Sequence, residues 1–309
     1  MKIKNPLAIN ICAKTMAGRS RTACAAKLLL LLLALPAAVQ AQYTYTTNNG
    51  GITITGYTGL GGAVTIPSSI NSFPVTSIGD WAFYYRTSLT IVTIPTSVTS
   101  IGDHAFDYCI HLTSVTIPDS VTSIGGWAFA SCASLTSVVI PDSVNTIGNY
   151  AFQNCTSLTA ITVDALNSNY SSVDGLLFDK SQTTFIQYPA GNAGTAFAVP
   201  NSVTSIGVGA FQFCSSLTSV TIGNSVTSIG DGAFSFCTSL TNVAIPNSVT
   251  SIGDFTFNYC SSLTSVAIPA SVNTIGNYTF QSCTSLTAVT VDALNSSYSS
   301  VDGVLFDNS

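Results

Sequence analysis

Seven of the nine cysteines occupy one position of a repeated sequence and are the first residues to consider for chemistry. This cysteine column consists of Cys109, Cys132, Cys155, Cys214, Cys237, Cys260 and Cys283. If each repeat forms one coil of a stack, neighbouring Cα atoms lie about 5 Å apart. Parallel side chains keep the Cβ atoms near that distance, whereas a disulfide prefers about 3.8 Å and a zinc site needs converging ligands. We predict free thiols that pack as small apolar side chains, with a disulfide or a metal site as alternatives.

The two histidines, His104 and His111, lie in one repeat and have no counterpart in the neighbouring repeats. Serine recurs wherever the repeat places it, so no serine is set apart as a partner for a catalytic histidine. Glycoside hydrolysis needs two carboxylates in a cleft, which a repeated aspartate does not supply. The sequence therefore predicts no catalytic residue, no metal, no cofactor and no enzymatic activity.

An aromatic side chain recurs two residues after the glycine of each repeat. This position is held by Trp81, Trp127, Tyr150, Phe255 and Tyr278, by His104, and by Gly209 and Gly232. Exposed aromatic side chains along an edge suit a protein or glycan partner because they bury a large area at low entropic cost. We predict the five aromatic residues as ligand-binding residues. The alternative is that they only cover the edge of the coils.

An acidic residue precedes this aromatic position in half of the repeats, at Asp80, Asp103, Asp231 and Asp254. Stacked carboxylates could ligate calcium through their oxygens. Turn chemistry explains aspartate at this place equally well.

The elements that must position these residues are repeats of 23 residues, each opening on a Val-x-x-Ile-Gly sequence. Coils 1 to 4 begin at Val75, Val98, Val121 and Val144, and coils 5 to 8 begin at Val203, Val226, Val249 and Val272. Within one repeat, apolar residues at the spacing L-x-x-V-x-I, as at Leu240, Val243 and Ile245, are typical of a leucine-rich-repeat strand. A single repeat cannot bury this apolar stripe and must stack on its neighbours. We predict a repeat solenoid, α/β or mainly β, a right-handed superhelix with one short strand per coil.

An insert follows coil 4 and recurs after coil 8, which divides the chain into segments. Strands at Gly175–Phe178 and Thr183–Tyr188 around a polar turn predict a β-hairpin in the insert. Strands at Tyr43–Thr47 and Ile52–Tyr57 around Asn48 to Gly51 predict another, which would cap the first coil. The predicted segments are residues 1–41 as a signal peptide, 42–74 as the hairpin cap, 75–162 as coils 1 to 4, 163–202 as the insert, 203–290 as coils 5 to 8 and 291–309 as a truncated second insert.

The first 41 residues have the order of a secretory signal peptide: cations, the apolar run Leu28 to Leu35, and small residues up to Ala41. The apolar run is about half as long as the roughly 20 residues that span a membrane. After Ala41 only Arg86 and Lys180 remain against thirteen aspartates, so the net charge there is two minus thirteen, or −11. That charge repels nucleic acids and anionic lipid surfaces. We predict a secreted or cell-surface protein whose mature chain does not insert into a membrane.

From Val75 onwards the repeats follow the pattern I-G-x-x-A-F-x-x-C-x-S-L-T-x-V-x-I-P-x-S-V, which closely resembles the BspA-like leucine-rich repeats of bacterial and some protist surface proteins. The Asp-Gly-x-Leu-Phe sequences of the inserts, at Asp174 and Asp302, also resemble that family. Departures from the pattern are Arg86 in place of cysteine, Thr256 and Thr279 in place of alanine, and Gly223 in place of proline. The resemblance implies a surface protein that mediates interaction, often linked with adhesion, and names no ligand.

The function predicted from these observations is non-catalytic interaction with an extracellular protein or glycan. One alternative is a structural surface or matrix component that assembles with copies of itself. Another is that the repeats form the non-catalytic part of a longer enzyme.

Overall fold

The computed structural model describes residues 42–308, so the predicted signal peptide lies outside the described residues. The described chain is a mainly-β solenoid of about ten turns, in which no helix occurs between residues 42 and 308. The strands up to the insert are β1 (Tyr43–Asn48), β2 (Gly51–Tyr57), β3 (Gly62–Thr65), β4 (Ser69–Ile70), β5 (Phe73–Ile78), β6 (Leu89–Thr93), β7 (Ser100–Ile101), β8 (Ser114–Thr116), β9 (Ser123–Ile124), β10 (Ser137–Ile140), β11 (Thr146–Ile147) and β12 (Ala160–Val163). The remaining strands are β13 (Tyr170–Val173), β14 (Leu176–Asp179), β15 (Thr184–Gln187), β16 (Ala196–Ala198), β17 (Ser205–Ile206), β18 (Ser219–Thr221), β19 (Ser228–Ile229), β20 (Asn242–Ala244), β21 (Ser251–Ile252), β22 (Ser265–Ile268), β23 (Thr274–Ile275), β24 (Ala288–Val291), β25 (Tyr298–Val301) and β26 (Val304–Asp307).

Each complete coil contributes two short parallel strands, not one. The strands of the L-x-x-V-x-I stretch pair in the orders β3-β6-β8, β10-β12, β16-β18-β20 and β22-β24. The Ser-Ile or Thr-Ile stretch before the repeat glycine forms a second series, β5-β7-β9-β11 and β17-β19-β21-β23. The prediction of one strand per coil is therefore wrong. The reason is that the Val-Thr-Ser-Ile opening is also extended, and Thr122 donates its backbone N–H to the carbonyl of Thr99 on the preceding coil at 2.8 Å.

The core is a set of columns that run along the solenoid, one for each apolar position of the repeat. The phenylalanine column is the largest, with Phe106 and Phe129 stacked at 5.2 Å and 4°, and Phe234 and Phe257 at 5.4 Å and 7°. These rings are fully buried. Truncating such a ring to alanine typically costs about 3–5 kcal/mol. The predicted stacking of coils around a shared core is confirmed.

The insert joins the two groups of coils and contains two strands more than predicted, β13 and β16. Strands β14 and β15 pair antiparallel around the predicted turn, and β13 pairs antiparallel with the other edge of β14. Strand β15 also pairs parallel with β17 of coil 5. Phe185 of β15 stacks on Phe211 at 4.7 Å and 12°, so the phenylalanine column of the second group of coils begins in the insert.

Residues 42–74 contain the antiparallel hairpin of β1 and β2 together with a coil that the sequence analysis did not identify. Strand β2 pairs parallel with β5, and β3 pairs parallel with β6. The short sequence Val64-Thr65-Ile66-Pro67 matches the end of the repeat pattern and explains this extra coil. Tyr57 stacks on Phe83 at 5.2 Å and takes the place of a phenylalanine at this end of the column.

Candidate functional site

The tight turns that follow the repeat glycine place one residue of each coil at an exposed edge with a left-handed backbone. Trp81, Trp127 and Tyr150 have φ angles of 61°, 57° and 63°. Positive φ is uncommon for bulky residues. Here it directs the backbone N–H along the solenoid axis, so that Trp81 donates to the carbonyl of Asp103 at 2.9 Å and Trp127 to that of Asn149 at 3.1 Å. The side chain is thereby turned away from the core.

We call the side chains at this position in coils 1 to 4 the first aromatic ladder: Trp81, His104, Trp127 and Tyr150. Trp81 and His104 stack face to face with ring centroids 3.8 Å apart and 7° between the planes. His104 stacks on Trp127 at 5.7 Å and 10°, and Trp127 lies 4.5 Å from Tyr150. The structure thus brings three of the five predicted ligand-binding residues, Trp81, Trp127 and Tyr150, into one row. Trp81, at one end of this row, is 49% exposed to solvent.

Phe255 and Tyr278, the other two predicted residues, form a separate pair in coils 7 and 8. Their rings stack at 5.1 Å and 15°, and both are exposed. Gly209 and Gly232 interrupt the row between the two groups. A Cβ atom on Gly209 would lie 2.6 Å from the ring of Tyr150, whereas one on Gly232 would lie 3.5 Å from the Tyr150 hydroxyl. The side chain of Tyr150 therefore extends from coil 4 to coils 5 and 6, where its ring lies over Gly209 and its hydroxyl approaches Gly232.

A second aromatic ladder, missed by the sequence analysis, lies four residues further on in each coil. It consists of Tyr85 and Tyr108 in coils 1 and 2, and of Phe213, Phe236 and Tyr259 in coils 5 to 7, all with positive φ. Phe213, Phe236 and Tyr259 stack at 4.6 Å and 4.7 Å with less than 10° between the planes (8° and 6°). The signal was present in the sequence, because these aromatic residues also recur at intervals of 23.

His104 is held by its stacking partners and by a buried carboxylate. Its Nδ1 lies 2.9 Å from Oδ2 of Asp107, and Oδ1 of Asp107 is buried without a hydrogen-bond partner among the described residues. Burial raises the pKa of Asp107, while the hydrogen bond and the charge of His104 act in the opposite direction. The other histidine, His111, contacts the carbonyl oxygen of Thr87 through Nδ1 at 2.6 Å. Both imidazoles are thus engaged in contacts within the coil edge.

The cysteine column lies in the core, and all seven thiols are free. Each sulfur donates a hydrogen bond to a backbone carbonyl of the preceding coil, as Cys237 does to Phe211 at 3.0 Å and Cys155 to Phe129 at 3.1 Å. Burial raises the pKa of Cys109 and Cys155 to about 12 and raises that of Cys237 well above its ordinary value. Since the thiolate is the nucleophile and the metal ligand, these thiols are placed for packing and not for chemistry.

The aspartate ridge serves the coil-to-coil hydrogen bonding of the backbone. Oδ1 of Asp80 accepts the N–H of Asp103 at 2.8 Å, and Oδ1 of Asp103 accepts the N–H of Gly126 at 2.7 Å. Asp231 and Asp254 do the same in coils 6 to 8. Between residues 42 and 308 no three His, Cys, Asp or Glu side chains are grouped so that they could hold a metal ion. The aspartates therefore bridge successive coils, which differs from the local turn hydrogen bonds expected from the sequence.

A groove of about 180 Å³ lies between coil 4 and the insert, lined among others by Tyr150, Tyr170 and Gln187. Pockets for small molecules usually occupy about 300–1,000 Å³. This groove is too small for such a ligand. A second, open concavity of about 640 Å³ lies along the Ser-Ile strands of coils 1 to 4, lined among others by Ser77, Ser100, Ser123 and Thr146. Because the aromatic side chains are the large apolar groups at the coil edge, we take the two aromatic ladders as the candidate site. No helix within the described part of the chain is long and apolar enough to cross a membrane.

Comparison with known proteins identifies the repeats. The model of the BspA type leucine-rich repeat region matches residues 76–198 and 190–309. A crystal structure of the pneumococcal vaccine antigen PcpA is similar to this chain, with a TM-score of 0.63 and 23% identity over 82% of this chain and 80% of that one. A leucine-rich cell surface protein of Faecalibacterium prausnitzii has a TM-score of 0.41 and 29% identity over 82% of this chain and 93% of that one. A leucine-rich repeat protein of Treponema pallidum has a TM-score of 0.44 and 29% identity over 80% and 88% of the two chains. No curated protein sequence matches this chain.

Proposed function

Because the chain belongs to the BspA-type leucine-rich repeat family, we propose that it is a secreted or cell-surface protein that binds an extracellular protein through its aromatic ladders and has no catalytic role. The order of charged, apolar and small residues before Gln42 supports export. The protonated cysteine column and the engaged histidines support a non-catalytic role. The partly exposed aromatic rows at the coil edge are the observation that carries the proposal.

The geometry of the first aromatic ladder favours a protein over a glycan as the partner. A pyranose ring packs against an open aromatic face, but Trp81, His104 and Trp127 cover one another's faces at 3.8 Å and 5.7 Å. The faces that stack are thereby closed to a sugar ring, while Trp81 remains exposed and Trp127 and Tyr150 are half-buried. Ring edges carry partial positive charge, and Trp and Tyr are enriched among the residues that dominate protein interfaces.

The experiment compares binding of the purified chain to panels of extracellular proteins and of glycans. The test variant is Trp81→Gly with Trp127→Gly, because coils 5 and 6 already carry glycine at this position with φ of 64° and 59°. The matched control is Ser114→Ala with Thr116→Ala, two exposed residues on strand β8 of coil 2. We expect saturable protein binding that the test variant loses and the control keeps.

Three results would contradict the proposal. If the test variant still binds the protein, the binding site does not lie on the first aromatic ladder. Binding to glycans alone would contradict the choice of partner. Self-assembly of the chain without any ligand binding would favour a structural component of a surface or matrix.

A further inference from the structure

The repeats are closely similar in sequence, so positions at which one coil differs from the others are candidates for a function specific to that coil. In coils 2 to 8 three residues follow the phenylalanine of the core column. In most of these coils the first has a buried or half-buried side chain; the second has positive φ, and the third is the core cysteine. In coil 1 these three residues are Tyr84, Tyr85 and Arg86, all exposed, with 62% of Tyr85 accessible to solvent. Tyr85 keeps the positive φ of this position, at 57°, so the departures are Tyr84 and Arg86, which flank it on the same edge as Trp81.

Tyr84 connects the two aromatic ladders into one surface. Its ring lies 4.9 Å from Trp81 at 80° and 6.2 Å from Tyr108 at 79°. Tyr85 and Tyr108 lie 6.0 Å apart at 41°. These tilted rings form a corrugated surface, in contrast to the flat stacks elsewhere in the ladders. We call Trp81, Tyr84, Tyr85, Arg86 and Tyr108 the coil 1 patch.

Arg86 is the one cationic side chain of this patch, in a chain that is acidic after Ala41. Four side chains between residues 42 and 308 can carry a positive charge, and three of them, Arg86, His104 and His111, lie in coils 1 and 2. Arg86 forms no ion pair with any residue between 42 and 308. The aspartates of coils 1 and 2 contact other groups: Oδ1 of Asp80 and of Asp103 each accepts a backbone N–H of the next coil, and Oδ2 of Asp107 contacts Nδ1 of His104. The guanidinium therefore presents its five donors without a carboxylate of its own.

We propose that the coil 1 patch binds a protein segment that presents a carboxylate beside an apolar side chain. This inference rests on the proposed function and names the chemistry of its partner. The carboxylate pairs with Arg86, and the apolar side chain packs between the tilted rings of Tyr84, Tyr85 and Tyr108. Trp, Tyr and Arg are the residue types that most often dominate the energetics of protein interfaces. A polyanion does not fit, since the net charge of −11 after Ala41 repels it at longer range.

The test begins with a random twelve-residue peptide library displayed on phage and selected on the immobilised full chain. Enriched peptides are then synthesised, each with a partner in which Asp or Glu is replaced by Asn or Gln. We expect the enriched peptides to carry an acidic residue next to an apolar one. Both the amide replacement and Arg86→Gln should weaken binding roughly tenfold, the scale of one good charged contact, and binding should weaken further as salt is added.

Matched variants separate this effect from general changes in charge or folding. Lys180→Gln removes the other cation that follows Ala41 and should leave the affinity unchanged. Arg86→Lys keeps the charge without the planar fork and should recover only part of the affinity. Thermal unfolding of Arg86→Gln should match that of the unsubstituted chain, because residue 86 is exposed.

Several outcomes would overturn the inference. These are enriched peptides that lack a carboxylate, acidic peptides that bind equally well to Arg86→Gln, and selection that enriches no peptide. Arg86-dependent binding of a sialylated oligosaccharide without any peptide binding would also overturn it. If extracellular proteins bind through the first aromatic ladder and Arg86→Gln leaves their affinity unchanged, only this inference fails. If no extracellular protein binds the chain, the proposed function fails as well.

Discussion

Burial of the cysteine column should make its thiols nearly inert in the folded protein. For Cys109 and Cys155 burial raises the pKa from 9.0 to about 12. At about pH 8 a thiol of pKa 9 is roughly one-tenth thiolate, and one of pKa 12 is roughly one ten-thousandth thiolate. The reaction of these two thiols with a disulfide reagent should therefore be about 1,000-fold slower than that of a free cysteine, before the effect of restricted access is added.

The assay follows release of thionitrobenzoate from the full chain carrying Cys12→Ser and Cys24→Ser, which leaves the seven thiols of the column. Cys283 is the one thiol that is only partly buried, so it should react first. The early phase should disappear in Cys283→Ser, and all seven thiols should react at once in guanidinium chloride. Alkylation of Cys109 or Cys155 in the native protein at the rate of a free thiol would refute the reasoning. Fewer than seven reactive thiols in denaturant would instead indicate a disulfide.

Three further predictions concern stability. Burial raises the pKa of all seven thiols, so as pH rises the thiols lose their protons in the unfolded chain before they do in the folded chain. The contribution of the thiols to stability should be complete below about pH 9, and the free energy of unfolding should then fall by about 1.4 kcal/mol per pH unit for each thiol. The measurable result is a steep drop in unfolding temperature by about pH 10. Both Gly209→Ala and Gly232→Ala should lose about 1–2 kcal/mol of unfolding free energy, measured in urea, because both glycines have positive φ. Gly209→Ala should lose roughly 1–3 kcal/mol more, because its Cβ would meet the Tyr150 ring at 2.6 Å; equal losses would contradict the role given to Tyr150. Asp103→Ala should cost roughly 1–2 kcal/mol, since it leaves the N–H of Gly126 without its acceptor, whereas the exposed Asp119→Ala should be neutral within about 0.5 kcal/mol.

The core of the solenoid could be predicted from the sequence because its determinants recur. A residue that repeats every 23 positions must meet its own copies when coils stack, so Phe129, Cys132 and Leu135 could be assigned to the core without knowledge of the backbone. The same reasoning predicts that the cysteines pack in the core, and six of the seven are buried. It predicted neither the second strand of each coil nor β13, because two- to four-residue stretches of serine, threonine and one or two apolar residues carry little strand signal on their own.

The arrangement of the candidate site was harder to predict, for two physical reasons. Bulky aromatic residues rarely adopt positive φ, so no local propensity indicates the backbone of Trp127 or Tyr259. That conformation is stabilised by hydrogen bonds to the next coil, which only the stacked structure reveals. The placement of Tyr150 over Gly209 depends on the shortness of the insert between them, which is a relationship between distant parts of the chain.

The energetics of the exposed turns explain why aromatic residues come in runs along this edge. A left-handed backbone costs a residue other than glycine about 1–2 kcal/mol, so a single aromatic side chain at this position destabilises its coil. Stacking against an aromatic neighbour stabilises the folded state by about 0.5–1.5 kcal/mol per pair, which offsets much of that cost. Aromatic residues are thus tolerated beside one another, as in Trp81 to Tyr150, and glycine is favoured where the run ends, as at Gly209 and Gly232. Most core positions stay the same between these runs, and the replacement of alanine by Thr256 and Thr279 is accommodated in the same coils. The composition of the edge can therefore vary without altering the fold, which is the property that a recognition surface requires.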